Sequence, residues 1–266
     1  MNKTKIDWAD STWNPVTGCL HGCEYCYARK VAERFKGGGY GREAPFFIGK
    51  YKDDAFSPPY VLDAEQLALT KHWYRNAPYP FGFEPTFHRY RLNEYKNKKG
   101  RNIFVCSMAD LFGDWVPDEW IQEVFKACEA APQHRYMFLT KNPKRYEKVL
   151  DHFFPPNMWF GWSQDGPMGN AMLHSTHQSI QSFVSIEPLR RPFESFDVRG
   201  VDWAIVGAET GSQRNKVVPE KAWVDAIVAA CKEASVPLFM KSSLRGLMGD
   251  DFIQEFPWTD PGTGHN

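Results

Sequence analysis

Three cysteines fall within eight residues of this chain, and thiolates are the protein ligands that soft metal ions prefer. Cys19, Cys23 and Cys26 are spaced C-x3-C-x2-C, and Tyr25 stands immediately before the last of them. Residues this close in sequence can point into one small volume from a single loop, as the ligands of one metal centre must. Three thiolates are one fewer than usually hold an iron–sulfur cluster, so a centre on this loop would keep one position open for chemistry.

Other interpretations of the cysteines remain open at this point. A structural zinc site needs four ligands, and His21, the nearest candidate, lies between two of the cysteines, where closing a tetrahedron would be strained. An electron-transfer cluster would want a fourth cysteine. Cys128 and Cys231 fall on apolar faces of predicted helices, and we expect both to be core residues. Cys106 lies inside a predicted strand, where it either packs in the core or acts as a redox or hydrogen-atom partner.

The composition of the chain excludes several classes of protein. Its 266 residues allow one large α/β domain or two small ones. Lysine plus arginine equals aspartate plus glutamate, at 32 each, so any binding to a polyanion must come from a local patch. No apolar run approaches the ~20 residues that span a bilayer, and the first residues lack an apolar signal core. Six cysteines are too few for a disulfide scaffold, and we expect a soluble, cytoplasmic protein.

The elements that must position the cysteine loop are short apolar runs that begin near residue 100. They have the character of strands buried on both faces, as in a parallel sheet. The runs cover residues 103–108, 136–140, 158–162, 182–186, 203–207 and 237–241. With the segment before Cys19 they make about seven strands, which predicts an α/β fold, a partial or full (βα) barrel of about six to eight parallel strands. We expect one domain over residues 1–260, with an irregular insertion at 37–100 and a disordered tail at 261–266.

Helical periodicity is strongest between these runs. Residues 117–131 and 219–234 each place five apolar or cysteine residues on one face, which predicts two amphipathic helices. A further helix is predicted at 27–35, where Tyr27, Val31 and Phe35 share a face, and another at 63–75, with Asp63 as its cap. Patterns at 143–153 and 167–179 are weaker.

Polar side chains follow every one of the six apolar runs. The carboxyl ends of parallel strands form the edge at which barrels and open sheets bind ligands. For any single residue, it is equally plausible that the strand simply ends where the chain becomes polar. Polar residues at the ends of six strands together favour a ligand-binding site. The candidates are Ser107, Asp110, Lys141, Ser163, Glu187, Glu209 and Lys241.

In combination these motifs resemble a known superfamily. A C-x3-C-x-aromatic-C motif after a first strand, followed by a (βα) repeat, is similar to the radical S-adenosylmethionine (SAM) superfamily. More closely, the segments WNPVTGC, IFVCSMADLF, FLTKNP, SIEPL and VGAETG resemble a phage-associated three-cysteine-motif family, described as a domain of unknown function. Within the superfamily, Thr140-Lys141 and Ser163 after successive strands resemble the spore photoproduct lyase branch.

The resemblance implies an enzyme with two cofactors. Cys19, Cys23 and Cys26 would ligate a [4Fe-4S] cluster, and the amino and carboxylate groups of SAM would occupy the fourth iron. The cluster, reduced by an external one-electron reductant, would cleave SAM to a 5′-deoxyadenosyl radical that abstracts hydrogen from substrate. The subclass, whether lyase, isomerase or transferase, stays open.

The resemblance also implies roles for the strand-end residues. The Gly-Gly-Glu segment with which the superfamily often holds the SAM amino group is lacking, and Ser107 to Asp110 occupy the corresponding strand end. The implied roles are Tyr25 near the adenine, Ser107, Lys141 and Ser163 at the methionine group, Glu187 at the ribose, and Asp110, Glu209 or Lys241 at the substrate. Lys141 would face the carboxylate of SAM.

The substrate is indicated only by a basic segment and by analogy. Residues 89–101 hold six lysines and arginines against one glutamate, which suits phosphate contacts, although a solvated face is an equal alternative. The possible phosphate contacts are Arg89, Arg91, Lys98, Lys99 and Arg101. The leading hypothesis is modification or rearrangement of a nucleobase, such as a hypermodified thymine in phage DNA, within the host cytoplasm. The alternatives are a non-catalytic nucleic-acid-binding protein stabilised by zinc or iron–sulfur, and a radical SAM enzyme acting on a peptide or small molecule.

Overall fold

The computed structural model describes residues 4–36, 47–48, 58–69, 74–150, 155–164, 180–193, 196–210 and 216–258. The chain divides into two compact units. The N-terminal unit comprises residues 1–5 and 9–158, and the C-terminal unit comprises residues 6–8 and 159–266. The predicted single domain stays a prediction. The predicted helix at 167–179, the tail at 261–266 and much of the insertion after residue 37 lie outside the described residues.

Seven strands form the main sheet, and each pairs with the next one along the chain. They are β1 (Ser11–Trp13), β2 (Asn102–Val105), β3 (Arg135–Thr140), β4 (Met158–Ser163), β5 (Gln181–Ile186), β6 (Trp203–Val206) and β7 (Leu238–Met240). The strands run parallel, and β1 and β7 are the two edges. A parallel sheet in unbroken sequence order has the topology of a partial (βα) barrel, which confirms the predicted fold class.

In the N-terminal unit, the helix after β2 follows the sequence pattern closely. Helix α2 (Asp118–Glu129) buries Trp120, Ile121, Val124, Phe125 and Cys128, the face that periodicity predicts. Two acidic residues in its first turn complement the positive end of the helix dipole. The weaker pattern after β3 also forms, as a short 3-10 turn (Pro143–Arg145) that continues into α3 (Tyr146–Val149).

Helix α1 (Tyr27–Arg34) is present as predicted, but only Val31 of the three residues on the predicted face packs against the core. Its buried residues are Ala28 and Ala32, whereas Tyr27 and Phe35 are 55% and 45% exposed. The alanines allow the helix backbone to approach Phe83 and Met108, so the small side chains, and not the aromatic ones, form the packing face.

Two small sheets cover part of the predicted insertion. One contains Val16–Thr17, Thr86–His88 and Tyr60–Leu62, and the other contains Phe47–Ile48, Leu67–Leu69 and Tyr74–Asn76. The helix predicted at 63–75 is therefore wrong, because Leu67–Leu69 and Tyr74–Asn76 pair as antiparallel strands. The segment holds two leucines, Leu67 and Leu69, which are two positions apart, the period of a strand and not of a helix, and Tyr74 also favours strands. A 3-10 turn (Arg89–Arg91) follows the first sheet.

In the C-terminal unit, the core lies between the strands β5 to β7 and helix α4 (Lys221–Ala234). Val224, Ile227 and Cys231 of α4 are buried, and Ser235 ends the helix in the left-handed conformation. Trp203 in β6 is fully buried and packs edge-on against the ring of Trp8 at 6.3 Å. Short helical turns follow β7, namely Ser242–Leu244, α5 (Arg245–Met248) and Gly249–Asp251.

Candidate metal centre and cofactor site

The cysteine loop starts from a fixed point in the N-terminal unit. Gly18 has φ +88°, and its N–H donates to the carbonyl of Met108 at 2.9 Å, while the N–H of Cys19 donates to the carbonyl of Phe83 at 3.2 Å. A Cβ at Gly18 would lie 2.2 Å from the carbonyl oxygen of Glu84. Only glycine accommodates both this φ and this approach, so the residue before the first cysteine holds the loop to its neighbours.

The end of the loop is closed by the first turn of α1. Cys26 is the N-cap, and its Sγ accepts the N–H of Arg29 at 3.3 Å. The N–H of Cys26 donates to the carbonyl of Cys23 at 3.2 Å, and the guanidinium of Arg29 donates to the carbonyl of Cys19 at 3.1 Å. The backbone between the first and last cysteine is thus tied to the helix that follows it.

Asp110, after the end of β2, is hydrogen-bonded on both carboxylate oxygens. Oδ1 accepts the N–H of Phe112 at 3.0 Å and the hydroxyl of Thr140 at 2.7 Å. Oδ2 accepts the N–H of Lys141 at 2.9 Å and the Nε2–H of His21 at 2.7 Å. The residue is only 5% exposed, so these four donors compensate a buried carboxylate. Asp110 thus joins the cysteine loop to the strand ends, and its predicted contact with substrate stays a prediction.

Tyr25 and Lys141, both predicted to bind SAM, contact each other. Nζ of Lys141 donates to the hydroxyl of Tyr25 at 2.8 Å and lies 5.3 Å from the centre of its ring. Both side chains are half-buried. A cation beside a flat ring, next to the cysteines in the chain, could take a carboxylate and an aromatic base.

Ser107 lies at the same strand end and is also hydrogen-bonded. Its hydroxyl donates to Oδ1 of Asn14 at 3.1 Å, and the same oxygen accepts the N–H of Met108 at 2.9 Å. The hydroxyl of Tyr27 donates to the carbonyl of Ser107 at 2.7 Å. Ser107 therefore lies in contact with the first residue of α1 and with the turn after β1.

The three loop cysteines have the donor chemistry of an iron–sulfur site. All three are free thiols and half-buried, and the loop supplies no carboxylate from within their spacing except Glu24. Across the described residues, no three cysteine, histidine or acidic side chains are grouped closely enough to hold an ion. Burial raises the pKa of the Cys19 thiol to about 12. The donor set fits a thiolate-preferring metal, and the ligand assignment stays a prediction.

In the C-terminal unit, the predicted residues form two ion pairs of their own. Lys241 contacts Glu187 directly, joining the residues after β7 and β5. Glu209, after β6, is buried, pairs with Nε of Arg190 at 3.5 Å and accepts the N–H of Val217 at 3.3 Å. Ser163, the last residue of β4, is half-buried.

The basic segment is less available for phosphate than its composition indicates. Arg89 donates to both carboxylate oxygens of Glu123, at 2.9 and 3.0 Å, and to Asp63 at 2.9 Å. Two acidic side chains therefore already neutralise this arginine.

Two more arginines of the segment serve the fold. Arg91 donates to the carbonyl of Asn14 at 3.0 Å, and Arg101 donates to the hydroxyl of Ser11 at 3.2 Å. Lys98 and Lys99 are exposed, so among the predicted phosphate contacts these two present their ammonium groups to solvent.

The sequence alone indicates no structural role for three residues whose hydrogen bonds or ion pairs hold the predicted site residues in place. The sequence suggests His21 only as a zinc ligand, places Asn14 only within a motif and gives no signal for Arg190. The spacing of His21 inside the loop was visible, but its partner lies 89 residues further along the chain. A hydrogen bond over that distance has no periodic signal in the sequence.

The chain belongs to the family described as "protein of unknown function (DUF5131)", which matches residues 3–246. That description names no activity, and the phage association stays a prediction. No curated protein matches the chain. Across the described residues, none of the helices has the length and apolar character that a membrane crossing requires.

Solved structures of spore photoproduct lyase are similar to this chain. One is a mutant with dinucleoside spore photoproduct, at 12% identity and a TM-score of 0.44, covering 87% of this chain and 63% of that chain. A second mutant gives 11% identity and a TM-score of 0.48, covering 90% of this chain and 78% of that one. The chain thus spans less than two thirds of the first of these structures.

Proposed function

We propose that this protein is a radical SAM enzyme whose [4Fe-4S] cluster is held by Cys19, Cys23 and Cys26. The observation that carries the proposal is a loop of three thiols that is tied down at both ends, with Lys141 and Tyr25 in contact beside it. When reduced, such a cluster supplies the electron that cleaves SAM to a 5′-deoxyadenosyl radical, which abstracts hydrogen from substrate.

The chain's own residues would bind and orient SAM. Lys141 would be the counter-ion of the SAM carboxylate, because its ammonium group is half-buried and contacts Tyr25, which lies between the second and third cysteines. Tyr25 would lie near the adenine. Ser107 and Ser163 are assigned to the methionine group, and Glu187 to the ribose hydroxyls.

The substrate in this proposal is a nucleobase within a nucleotide or DNA. Exposed Lys98 and Lys99 are the residues that support contacts to phosphate. Glu209 and Lys241 are the side chains assigned to face the substrate. An external one-electron reductant is the other partner, and phage DNA is the proposed setting.

Anaerobic reconstitution tests the enzymatic proposal. The protein is loaded with iron and sulfide, reduced with dithionite and mixed with SAM, and 5′-deoxyadenosine is measured by mass spectrometry. We expect its formation by the wild type and by Cys128→Ala, but not by Cys23→Ala. Stoichiometric zinc in place of iron, with no 5′-deoxyadenosine, would overturn the proposal in favour of a metal-stabilised binding protein.

A further inference from the structure

A buried carboxylate gathers four hydrogen-bond donors around the cysteine loop. Three of the donors, the N–H of Phe112, the hydroxyl of Thr140 and the N–H of Lys141, belong to the strand ends. These three fix the rotamer of Asp110 and leave one direction on Oδ2, which the ring of His21 fills at 2.7 Å. The carboxylate is therefore oriented by the sheet, and the loop binds to it.

His21 is held on a second side by an aromatic ring. Its imidazole lies edge-on to Trp115, with ring centres 4.9 Å apart. Its side chain is 23% exposed, against 6% for that of Asp110. A hydrogen bond to a charged group is roughly twice as strong as a neutral one, and it is strongest when shielded from water. This contact anchors the middle of the loop, between Cys19 and Cys23.

Asp110 also supports the contact between the strand end and a second loop residue, Tyr25. It holds the backbone N–H of Lys141, whose ammonium group donates to Tyr25 between the second and third cysteines. Both anchors inside the loop thus depend on the same carboxylate.

We propose that Asp110 is a positioning residue that fixes the cysteine loop against the ends of β2 and β3 before any metal is bound. The proposal adds to the function proposed above and rests on it, since that function is the reason why the three cysteines of the loop would need to be held in place. It assigns Asp110 to the ordering of the three ligands, and not to contact with substrate.

Two variants remove the interaction in different ways. Asp110→Asn keeps the shape of the side chain but replaces one acceptor oxygen with an N–H₂ group. Both oxygens of Asp110 accept hydrogen bonds, so this N–H₂ group must point at donors whichever way the amide is turned. His21→Phe keeps a ring against Trp115 and removes the hydrogen bond. Asp114→Asn is the matched control, because it makes the same chemical change four residues away on a side chain that is 86% exposed, where the remaining amide oxygen can still accept the N–H of the Asn142 side chain.

Amide hydrogen exchange of the metal-free, reduced protein is the measurement. We expect the peptide covering residues 18–26 to exchange about tenfold faster or more in Asp110→Asn and His21→Phe, because a charge-assisted hydrogen bond is lost. Asp114→Asn should match the wild type, and peptides from α4 should be unchanged in all variants. Iron bound after reconstitution should fall in both variants although all three cysteines remain.

The outcomes separate this proposal from the function itself. Wild-type exchange of residues 18–26 in His21→Phe would overturn the positioning role, whatever the iron content. If Asp110→Asn does not fold, His21→Phe decides the question, since it leaves the buried carboxylate and its three other donors in place. A wild-type protein that binds no iron would refute the proposed function and leave the exchange result standing.

Discussion

The six cysteines of this chain stand in two kinds of surroundings. Those of the loop are half-buried and lie within eight residues of one another. Cys106, Cys128 and Cys231 are at most 2% exposed and lie far apart in sequence, after β2, in α2 and in α4. The first group can meet a common ligand from solvent, whereas the second fills space in the cores.

Acidity does not separate the two groups. Burial raises the pKa of Cys106 and Cys231 to about 12 and raises that of Cys128 well above its usual value. Burial also raises the pKa of Cys19 to about 12. The difference between the groups therefore lies in exposure and in spacing along the chain: the loop thiols are half-buried and fall within eight residues, whereas the other three are buried and far apart in sequence.

Replacing one cysteine from each group should give opposite results. Cys23→Ala should reduce bound iron and sulfide almost to zero and change the free energy of unfolding by less than about 0.5 kcal/mol, because its side chain is half-exposed. Cys128→Ala should keep the cluster and cost about 1 kcal/mol, because it leaves a small cavity behind α2. Iron and sulfide quantification and urea unfolding measure both.

Cys231→Ala is the control for the open coordination position. It should behave like Cys128→Ala. Loss of the cluster in this variant would mean that the protein supplies a fourth ligand, and the comparison between loop and core cysteines would fail.

The parts of the fold that were predicted are those with periodic burial. Helix α2 repeats its apolar residues every three or four positions, and all five that were expected inside are buried. The main sheet followed from apolar runs that end in polar residues. The face of α1 was misread because alanines carry little apolar weight, although Ala28 and Ala32 are the buried positions.

The sequence proposes members for the candidate site, which stay predictions, but it does not indicate how they are arranged. Cysteine spacing is local, so the loop is evident from the sequence, whereas the contact between Lys141 and Tyr25 is not. The role of Asp110 depends on four donors that lie between 2 and 89 residues away. Such hydrogen bonds follow from tertiary structure, and a strand-end aspartate alone does not reveal them.

The backbone of the loop contains one glycine in a packed position, Gly18, and one in an open position, Gly22. Gly18→Ala should destabilise the protein by about 3 kcal/mol or more, because the new Cβ meets the Glu84 carbonyl at 2.2 Å and φ is +88°. Gly22→Ala should cost only about 1 kcal/mol, since φ is +70° but nothing lies within 4 Å. Urea unfolding of both variants measures the difference, and equal costs would contradict the packing of the loop base.

Acid should weaken the core of the N-terminal unit through His88. This residue is fully buried against Thr17, and burial, with Arg91 nearby, holds its pKa well below its usual value. The unfolded chain therefore takes up a proton near pH 6.5 that the folded chain does not, and stability falls as pH drops below that value. The loss should approach about 1.4 kcal/mol per pH unit for this group.

His88→Gln tests this assignment. Urea unfolding at pH 5.5 and 7.5 should show a smaller difference for the variant than for the wild type. Part of the acid sensitivity should remain, because burial also lowers the pKa of His134. An unchanged difference would mean that His88 does not contribute.

The smallest expected effect concerns the basic segment, where exposed lysines stand beside arginines that are used internally. The double substitution Lys98→Ala with Lys99→Ala should leave the free energy of unfolding unchanged. For duplex DNA it should make the fall of log affinity with log salt less steep by roughly 1.8, because each of two phosphate contacts contributes about 0.9. Exposed Lys144 of the same unit supplies the control, and Lys144→Ala should keep the slope. Fluorescence anisotropy over a salt series measures it. A slope unaffected by the double substitution would mean that these lysines meet solvent, and not phosphate.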